Sequence, residues 1–401
     1  MSYWSKLFVL VLIASALAAC AGQSAGPAPT PTMELPAEDE LAAPLEQALV
    51  FLPAGHKPTL FFTDWMRIKR GNGARQVTSQ SPWRERSLLF RAAARYSPIA
   101  FLGVDSPQQQ ADIWGWDFSD IDWEAMIALD EYRLPGTAEA GSHIAHVVDL
   151  RDDMDVAQIQ ARLVEYGFAR QSYGGFDIYS HEPDSPQTWA GMSRPVMLNV
   201  AFVPGVLPPG DTTLIFSEHL PVVQTVLDTL SHKEPSFADA TEIDPLLTGL
   251  STPYTAVIAS GTACKDWNPL LNAQGNSLSR LSKDQQAEVK RLLGDESPLH
   301  PYVGFGMGFY AIANKSFNLM AINYASASDA AADLPTRQQI IAEGFGLTGD
   351  PYSMDASLGS AIRDDTALVF VLDPPDQSAG EATDRLINLF SRNDMLFAAC
   401  P

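Results

Sequence analysis

The densest group of side chains that could bind a metal in this 401-residue chain is acidic. Asp117, Asp120, Asp122 and Glu124 place four carboxylates within eight residues. Oxygen-rich clusters suit calcium, but the loop spacing and the central glycine of an EF-hand are missing. The tryptophans on either side indicate a packed turn instead. We therefore predict a structural turn, with a calcium site as the weaker alternative.

A second candidate metal site consists of His143 and His146 in an H-x-x-H pattern, with Asp149 three residues further on. On a helix these side chains could share one face. In the strand that this sequence predicts, residues three apart point to opposite faces, which separates the ligands. The other histidines are scattered and no C-x-x-C pattern occurs. We predict no bound metal and no cofactor.

Glycines at 304, 306 and 308 alternate through a stretch that is typical of a strand. Phosphate-binding loops need glycines between a strand and a helix, so this pattern more readily indicates a bulge or a close backbone approach. The patterns G-x-S-x-G, H-E-x-x-H and S-x-x-K do not occur in a matching context. We therefore name no catalytic residue, although a triad of distant residues would leave no local pattern.

The most unusual local charge lies between residues 67 and 95, where eight basic residues accompany one acidic residue in a chain of net charge −22. Arg84, Arg91 and Arg95 are spaced to share one face of a helix predicted to begin at Pro82, with Ser81 as its N-cap. Guanidinium groups suit phosphate and carboxylate, so this face could bind a lipid headgroup, a cell-wall phosphate polymer or an acidic ligand. Alternatively, the basic residues pair with the protein's own carboxylates, which is the more frequent outcome for a charge run.

The first twenty residues have the features of an export signal. Lys6 is the only charged residue before an apolar run from Leu7 to Ala19. That run is shorter than the roughly 20 residues that cross a bilayer, and it ends in small residues suited to a peptidase.

The last four residues of this signal, Leu17-Ala18-Ala19-Cys20, resemble the lipobox of bacterial lipoproteins. The resemblance implies that the Cys20 thiol becomes a thioether to diacylglycerol and that the preceding peptide is removed. It further implies acylation of the new amino group by a chain such as palmitate, and membrane anchoring on the extracytoplasmic face. The resemblance covers this segment alone. The alternative is an ordinary secretory signal that ends in cysteine.

The remaining cysteines, Cys264 and Cys400, form an even pair in an oxidising compartment. We predict a disulfide between them, which would close a long loop and stabilise the fold by about 4–5 kcal/mol in the chain-entropy model. Two buried free thiols are the alternative.

Bulk composition limits the domain organisation and the class of partner. Removal of nineteen residues leaves 401 − 19 = 382, enough for two or three domains. Hydrophobic residues make up 46% of the chain, which supplies a large core, and the net charge of −22 disfavours nucleic-acid binding. After the signal peptide at 1–19, we predict the following segments: a Pro/Ala-rich acidic tether at 20–48, one α+β domain at 49–204, and a second at 211–401 after a Pro/Gly-rich break.

Hydrophobic periodicity predicts the α+β class, with strands and helices mixed in two halves. Trp123 to Leu129 fits a helix, whereas Ala145 to Leu150 fits a strand that precedes a helix capped by Asp155. A strand followed by a helix recurs near residues 145–166, 213–230, 317–343 and 367–392, which suggests repeated modules.

These features together predict a lipid-anchored extracytoplasmic protein, most simply a non-catalytic module that binds a component of the cell envelope. One alternative is a solute-binding lipoprotein of a transporter, with two lobes about residues 204–210. A less favoured alternative is a hydrolase with an unrecognised site.

Overall fold

The structure is a computed structural model of the chain. It describes residues 44–96, 107–132, 134, 141–181, 198–204, 212–250, 252–260, 281–293, 299–312, 315–346, 349–354, 357–373, 389 and 394–399. The chain divides into two units, of which Met1–Leu41 lies outside the described residues and Ala42–Pro401 contains all of them. The predicted signal peptide and most of the predicted tether therefore lie outside the described residues.

One antiparallel sheet of twelve strands forms the centre of the fold. In chain order the strands are β1 Pro58–Asp64, β2 Ile121–Tyr132, β3 Gly141–Leu150, β4 Ala169–Tyr173, β5 Phe176–Ser180, β6 Asn199–Pro204, β7 Thr212–Ser217, β8 Thr255–Ser260, β9 Tyr302–Ile312, β10 Lys315–Tyr324, β11 Ser357–Asp364 and β12 Ala367–Asp373. Their order across the sheet is β11-β12-β10-β9-β8-β1-β2-β3-β7-β6-β5-β4. The predicted α+β class is confirmed.

The described helices cover the sheet. They are α1 Pro44–Leu49, α2 Trp65–Gly71, α3 Trp83–Tyr96, α4 Pro107–Trp114, α5 Val156–Glu165, α6 Leu220–Leu230, α7 Asp244–Leu250, α8 Lys283–Leu293 and α9 Ala327–Glu343. Among these helices, none has the length and apolar character needed to cross a membrane.

Both faces of the central part of the sheet are buried, because alternate side chains of its strands enter different cores, whereas the edge strands β4 and β11 are mostly exposed. In β3, Ala145 and Val147 pack with α1, α6 and α7, whereas Val148 and Leu150 pack with α2 to α5. In β10, Met320 enters a third core formed with α8, α9 and the segment 395–399. The described part of Ala42–Pro401 is thus a three-layer arrangement of helices, sheet and helices.

The order of the elements is similar on the two sides of the central β1–β8 pair. Outward from this pair the sheet reads β1-β2-β3-β7-β6-β5-β4 on one side and β8-β9-β10-β12-β11 on the other, so the first side has two additional strands at its edge. A helix follows the third strand of each half, as α5 follows β3 and α9 follows β10. The strand–helix pairs predicted at 145–166, 213–230 and 317–343 correspond to β3–α5, β7–α6 and β10–α9. Most of the helix predicted after β12 lies outside the described residues.

The predicted break at 204–210 falls between β6 and β7, which are hydrogen-bonded neighbours in the sheet. Residues 205–211 themselves are outside the described part of the chain. Strands from both predicted domains belong to the same sheet, since β1 pairs with β8. The division into domains at 49–204 and 211–401 stays a prediction about the chain, but the hydrogen bonding of the sheet continues across it.

Two helix starts were predicted from polar side chains, and they differ in outcome. Helix α3 begins at Trp83, one residue after the predicted first position Pro82, and the Ser81 hydroxyl accepts a hydrogen bond from Thr78 N at 3.0 Å instead of capping the helix. The Asp155 carboxylate accepts a hydrogen bond from Gln158 N at 3.0 Å and caps α5. The prediction of a helix at 123–129 was wrong, because these residues lie within β2.

The strand at 123–129 is explained by burial at every second position. Trp123, Ala125, Ile127 and Leu129 are all buried in the core shared with α1, α6 and α7. Trp123 and Ile127 are four residues apart, so they also fit one face of a helix. Pairing with β1 on one side and β3 on the other decides between the two structures.

Two of the alternating glycines of β9, Gly304 and Gly306, allow α7 to approach the sheet closely. A close backbone approach was one of the two interpretations predicted for this pattern. A Cβ atom at Gly304 would lie 2.9 Å from Leu246 Cδ1, and one at Gly306 would lie 2.6 Å from Leu250 Cδ1. Both distances are shorter than normal carbon contacts. These two glycines therefore contribute to packing and do not form a phosphate-binding loop.

Candidate functional site

The basic segment at 67–95 divides into buried and exposed residues. Lys69 is fully buried and donates a hydrogen bond to Ile121 O at 2.7 Å, with Asp122 Oδ1 3.7 Å away. Arg86 is also buried, and its guanidinium forms an ion pair with Asp117. The alternative in which the cations pair with the protein's own carboxylates therefore holds for these residues.

Other arginines of the segment face solvent. Arg84 and Arg91 are exposed on α3 and form no ion pair with a described residue. The side chain of Arg95 lies outside the described part of the chain. The predicted anion-binding face is consequently represented by Arg84 and Arg91, and anion binding there stays a prediction.

The same exposed surface carries two large apolar side chains that sequence reasoning did not single out. Trp83 is 48% exposed and Leu88 is 57% exposed. The guanidinium carbon of Arg86 lies 5.4 Å from the centroid of the Trp83 ring, which supports the ring from the protein side. We call the set Trp83, Arg84, Leu88 and Arg91 the α3 face. Its signal in the sequence was the presence of apolar residues on the same side of the helix as the arginines.

The acidic cluster makes contacts typical of a packed turn. Asp117 Oδ1 accepts from Ser119 N at 2.8 Å, and Asp120 Oδ2 accepts from Asp117 N at 3.1 Å, which forms a capping box before β2. Asp120 Oδ1 accepts from Ser79 N at 3.0 Å and lies 3.6 Å from Arg151. These groups hold the turn against α2 and α3.

Burial changes the proton affinities of several groups beside this turn. Asp64 caps α2 by accepting from Arg67 N at 2.7 Å, and desolvation raises its pKa to about 7 despite that hydrogen bond. Desolvation also raises the pKa of Asp117 and of Asp122. The pKa of Lys69 is lowered to about 8 by desolvation, which the nearby Asp122 carboxylate partly opposes.

Perturbed proton affinities of this kind are common in active sites, but structural ion pairs also produce them. The groups here have protein partners: Asp64 caps a helix, Lys69 donates to a backbone carbonyl, and Asp117 pairs with Arg86. The described residues contain no group of three or more histidine, cysteine or acidic side chains placed to hold a metal ion. The contacts of Asp64, Lys69 and the Arg86–Asp117 pair connect α2, α3 and β2.

The H-x-x-H pair lies on β3, where the strand separates its members as expected. His146 is buried, and Asp149 Oδ1 accepts a hydrogen bond from Thr213 at 3.0 Å. The His143 ring instead contacts the His219 ring, with centroids 5.1 Å apart. Burial and the neighbouring His219 lower the pKa of His143.

A second polar cluster, which sequence reasoning missed, holds residues 395–399, which we call the C-terminal segment. Asp333 and Arg337 are fully buried on α9, with Arg337 Nη2 3.2 Å from Asp333 Oδ2. Arg337 Nη1 donates to Phe397 O at 2.7 Å and to Ala399 O at 3.1 Å. The Tyr324 hydroxyl donates to Asp333 Oδ2 at 2.9 Å. An acidic and a basic residue four apart in an Ala-rich helix were the only signal in the sequence.

This cluster includes the arrangement most similar to a catalytic pair. His300 Nδ1 lies 2.6 Å from Asp333 Oδ1, a geometry that could orient a general base. Its other ring nitrogen lies 3.9 Å from Asp329 Oδ1, and no hydroxyl or thiol of a described residue is hydrogen-bonded to it. Because a nucleophile is missing from its described partners, the pair is best explained as a contact between α9 and the residues that precede β9.

A small cleft lies between α8, α9 and the C-terminal segment. Its volume is about 170 Å³, and Arg291, Thr336, Glu343, Phe345 and Leu396 are among its lining residues. Ligand pockets usually measure about 300–1,000 Å³, so this cleft is small for an organic solute. It does not favour the solute-receptor alternative.

The predicted lipidation site and disulfide fall on other parts of the chain. Cys20, Cys264 and Cys400 lie outside the described residues. Lipidation of Cys20 and the disulfide between Cys264 and Cys400 stay predictions.

Comparison with known proteins gives a structural likeness and no match at the sequence level. No protein-family model and no curated protein matches the chain. A crystal structure of TP0453, in its crystal form I, is similar over 86% of this chain and 97% of that chain, with 11% sequence identity and a TM-score of 0.35. A likeness of this size carries no argument about function.

Proposed function

We propose that this chain is a lipid-anchored protein of the extracytoplasmic face, and that its folded part is a non-catalytic module that binds a component of the cell envelope. The observation that carries the proposal is the lipobox-like sequence Leu17-Ala18-Ala19-Cys20 at the end of an export signal. Two or more acyl chains would hold such a protein on a membrane almost permanently, because each buried methylene contributes about 0.8 kcal/mol.

The contacts of the ionisable groups support the non-catalytic part of the proposal. The pair Lys69–Asp122 joins α2 to β2, and Arg86–Asp117 joins α3 to the turn before β2. Arg337, which pairs with Asp333 within α9, donates to backbone carbonyls of residues 397 and 399. Such pairs specify how elements pack, and each leaves a costly buried charge if one partner is removed. In contrast, the α3 face presents cations and apolar groups to solvent, as expected of a binding surface.

The anchor is tested by expressing the full chain in a bacterial host with a radioactive fatty acid. Cys20→Ser should abolish labelling and leave the signal peptide uncleaved, because the thiol is the proposed acceptor of the diacylglycerol. Cys264→Ser is the matched control and should be labelled and processed normally. Normal labelling of Cys20→Ser would refute the proposed anchor.

A further inference from the structure

Helix α3 presents two arginines and two large apolar side chains on its solvent side. Successive residues are about 100° apart around a helix, so Arg84 and Arg91 lie within about 20° of each other. Trp83 and Leu88 lie on either side of them. Leu89, on the opposite side of the helix, is 2% exposed and packs in the core with α2, α4 and α5. The α3 face is therefore a cationic strip with an apolar side chain along each edge.

The Trp83 ring is supported by the protein beneath it. Arg86 lies against this ring at 5.4 Å and is itself fixed by its buried ion pair with Asp117. A large side chain held in this way loses little conformational freedom when it binds a partner. The exposed part of the Trp83 side chain, 48% of its surface, can therefore contact a partner at low entropic cost.

The charge of the strip is opposite to that of the chain. The chain has a net charge of −22, whereas Arg84 and Arg91 are exposed and form no ion pair with any residue in the described ranges. The exposed Glu85 is displaced by about 100° from Arg84 around the helix, on the far side of Leu88, so it borders the Leu88 edge of the face and does not lie between the two arginines. A partner of this strip should be anionic, with an apolar layer that can accept an indole and a leucine side chain.

We propose that the α3 face docks on the surface of an anionic lipid bilayer. Tryptophan is enriched at the boundary between headgroups and acyl chains, because its ring is apolar and its N–H is polar. Arginine side chains near a bilayer extend their guanidinium groups to the headgroups, and basic clusters are attracted to anionic lipids. A soluble polyanion would satisfy the arginines but would supply no apolar layer for Trp83 and Leu88.

The inference rests on the proposed lipid anchor. Only 23 residues separate Cys20 from Pro44. At about 3.6 Å or less per residue, this segment keeps Pro44 within about 85 Å of an anchored Cys20. A weak surface contact is then sufficient, because the tether raises the local concentration of the bilayer.

The test uses the full lipidated chain reconstituted into vesicles that contain brominated phosphatidylcholine, which quenches nearby indole fluorescence. One vesicle preparation contains phosphatidylglycerol and the other only phosphatidylcholine. The signal of Trp83 is the difference in quenching between the unchanged protein and Trp83→Phe. Flotation of the protein with the vesicles, and the mass of the Cys20 peptide, are measured in the same samples.

We expect quenching that depends on Trp83 in the anionic vesicles and much less in the neutral ones. Arg84→Ala with Arg91→Ala should lower the ratio of docked to undocked protein roughly 30-fold, because each basic residue near an anionic surface contributes about fivefold. Raising the salt concentration to about 1 M should have a similar effect, since it shortens the Debye length to about 3 Å.

The matched control is Lys283→Ala with Lys290→Ala, which removes two exposed cations from α8. This variant should dock as the unchanged protein does. The docking inference is wrong if the protein floats with the vesicles but Trp83 is not quenched. It is equally wrong if the quenching of Trp83 changes neither with lipid charge nor with replacement of the two arginines. It is also wrong if only a soluble polyanion alters Trp83 emission. If Cys20 carries no lipid and the protein does not float, the proposed anchor is wrong and the inference falls with it.

Discussion

Replacement of Asp64 by asparagine should stabilise the protein at neutral pH, in spite of the loss of a helix-capping charge. Asp64 is only 7% exposed, and burial raises its pKa from 3.8 to about 7. Between these two values the folded state holds a proton that the unfolded state has released. The free energy of unfolding therefore falls as the pH rises from about 4 to about 7.

The size of this effect follows from the shift. About three pKa units at 1.36 kcal/mol each correspond to roughly 4 kcal/mol of stability lost by neutral pH. Asparagine stays neutral at every pH, and its amide oxygen can still accept the hydrogen bond from Arg67 N, since asparagine is also a favoured N-cap. Its buried amide N–H groups cost about 1–2 kcal/mol if they lack partners. The gain from removing the buried charge exceeds the cost of the amide N–H groups. We therefore expect Asp64→Asn to be more stable than the unchanged protein by about 2 kcal/mol at pH 7.5.

The assay is urea unfolding at about pH 4.5 and pH 7.5, followed by circular dichroism. The advantage of Asp64→Asn at the higher pH should shrink or reverse at the lower one, where the wild-type carboxyl is protonated in the folded state. Asp155→Asn is the control, because Asp155 caps α5 in the same way but is exposed. It should change stability by less than about 1 kcal/mol at both pH values. A variant at Asp64 that is less stable at pH 7.5, with a deficit that does not depend on pH, would show that the carboxylate is charged and well paired in the folded protein.

Two further substitutions test the packing of the C-terminal half. Gly306→Ala places a methyl group 2.6 Å from a leucine of α7 and should lower the free energy of unfolding by about 1–3 kcal/mol, whereas Gly55→Ala, with nothing within 4 Å, should have little effect. Equal thermal midpoints for the two variants would contradict the close approach of α7. Arg337→Met leaves the buried Asp333 without its cation and should cost about 3–5 kcal/mol, while Arg291→Met removes an exposed ion pair and should cost less than about 1 kcal/mol in the same melts. An Arg337 variant as stable as the Arg291 variant would mean that the buried cluster does not hold the C-terminal segment.

Helix starts could be predicted from the sequence because a capping side chain bonds to its own next few residues. Asp155 is a local signal of this kind, whereas Ser81-Pro82 marked the position of the start of α3 to within one residue without Ser81 capping the helix. The α+β class was predicted for a similar reason, since the period of the apolar residues reflects the burial of one face at a time. The stretch 123–129 failed because its apolar spacing fits two periods, and the strands on either side decide between them.

The candidate site could be predicted only in part. The clustering of arginines at 67–95 was visible, but a sequence does not show which cations face inward. Lys69 and Arg86 are buried against carboxylates more than thirty residues away in the chain, Asp122 in β2 and Asp117 in the turn before it. The exposure of Trp83 and Leu88 likewise depends on how α3 packs against α2 and the turn at 117–120.

The sequence by itself predicted an export signal with a lipobox-like end, and it determined the acidity of the chain, the α+β class and the Asp155 cap of α5. These features depend on composition or on residues within one turn of each other. Only the tertiary structure decided that strands from both halves form one sheet, that Gly304 and Gly306 make room for α7, and that the buried Asp333–Arg337 pair holds residues 397–399. The physical reason is that the burial of a residue depends on neighbours that are distant in the chain, and burial sets the effective strength of every charge.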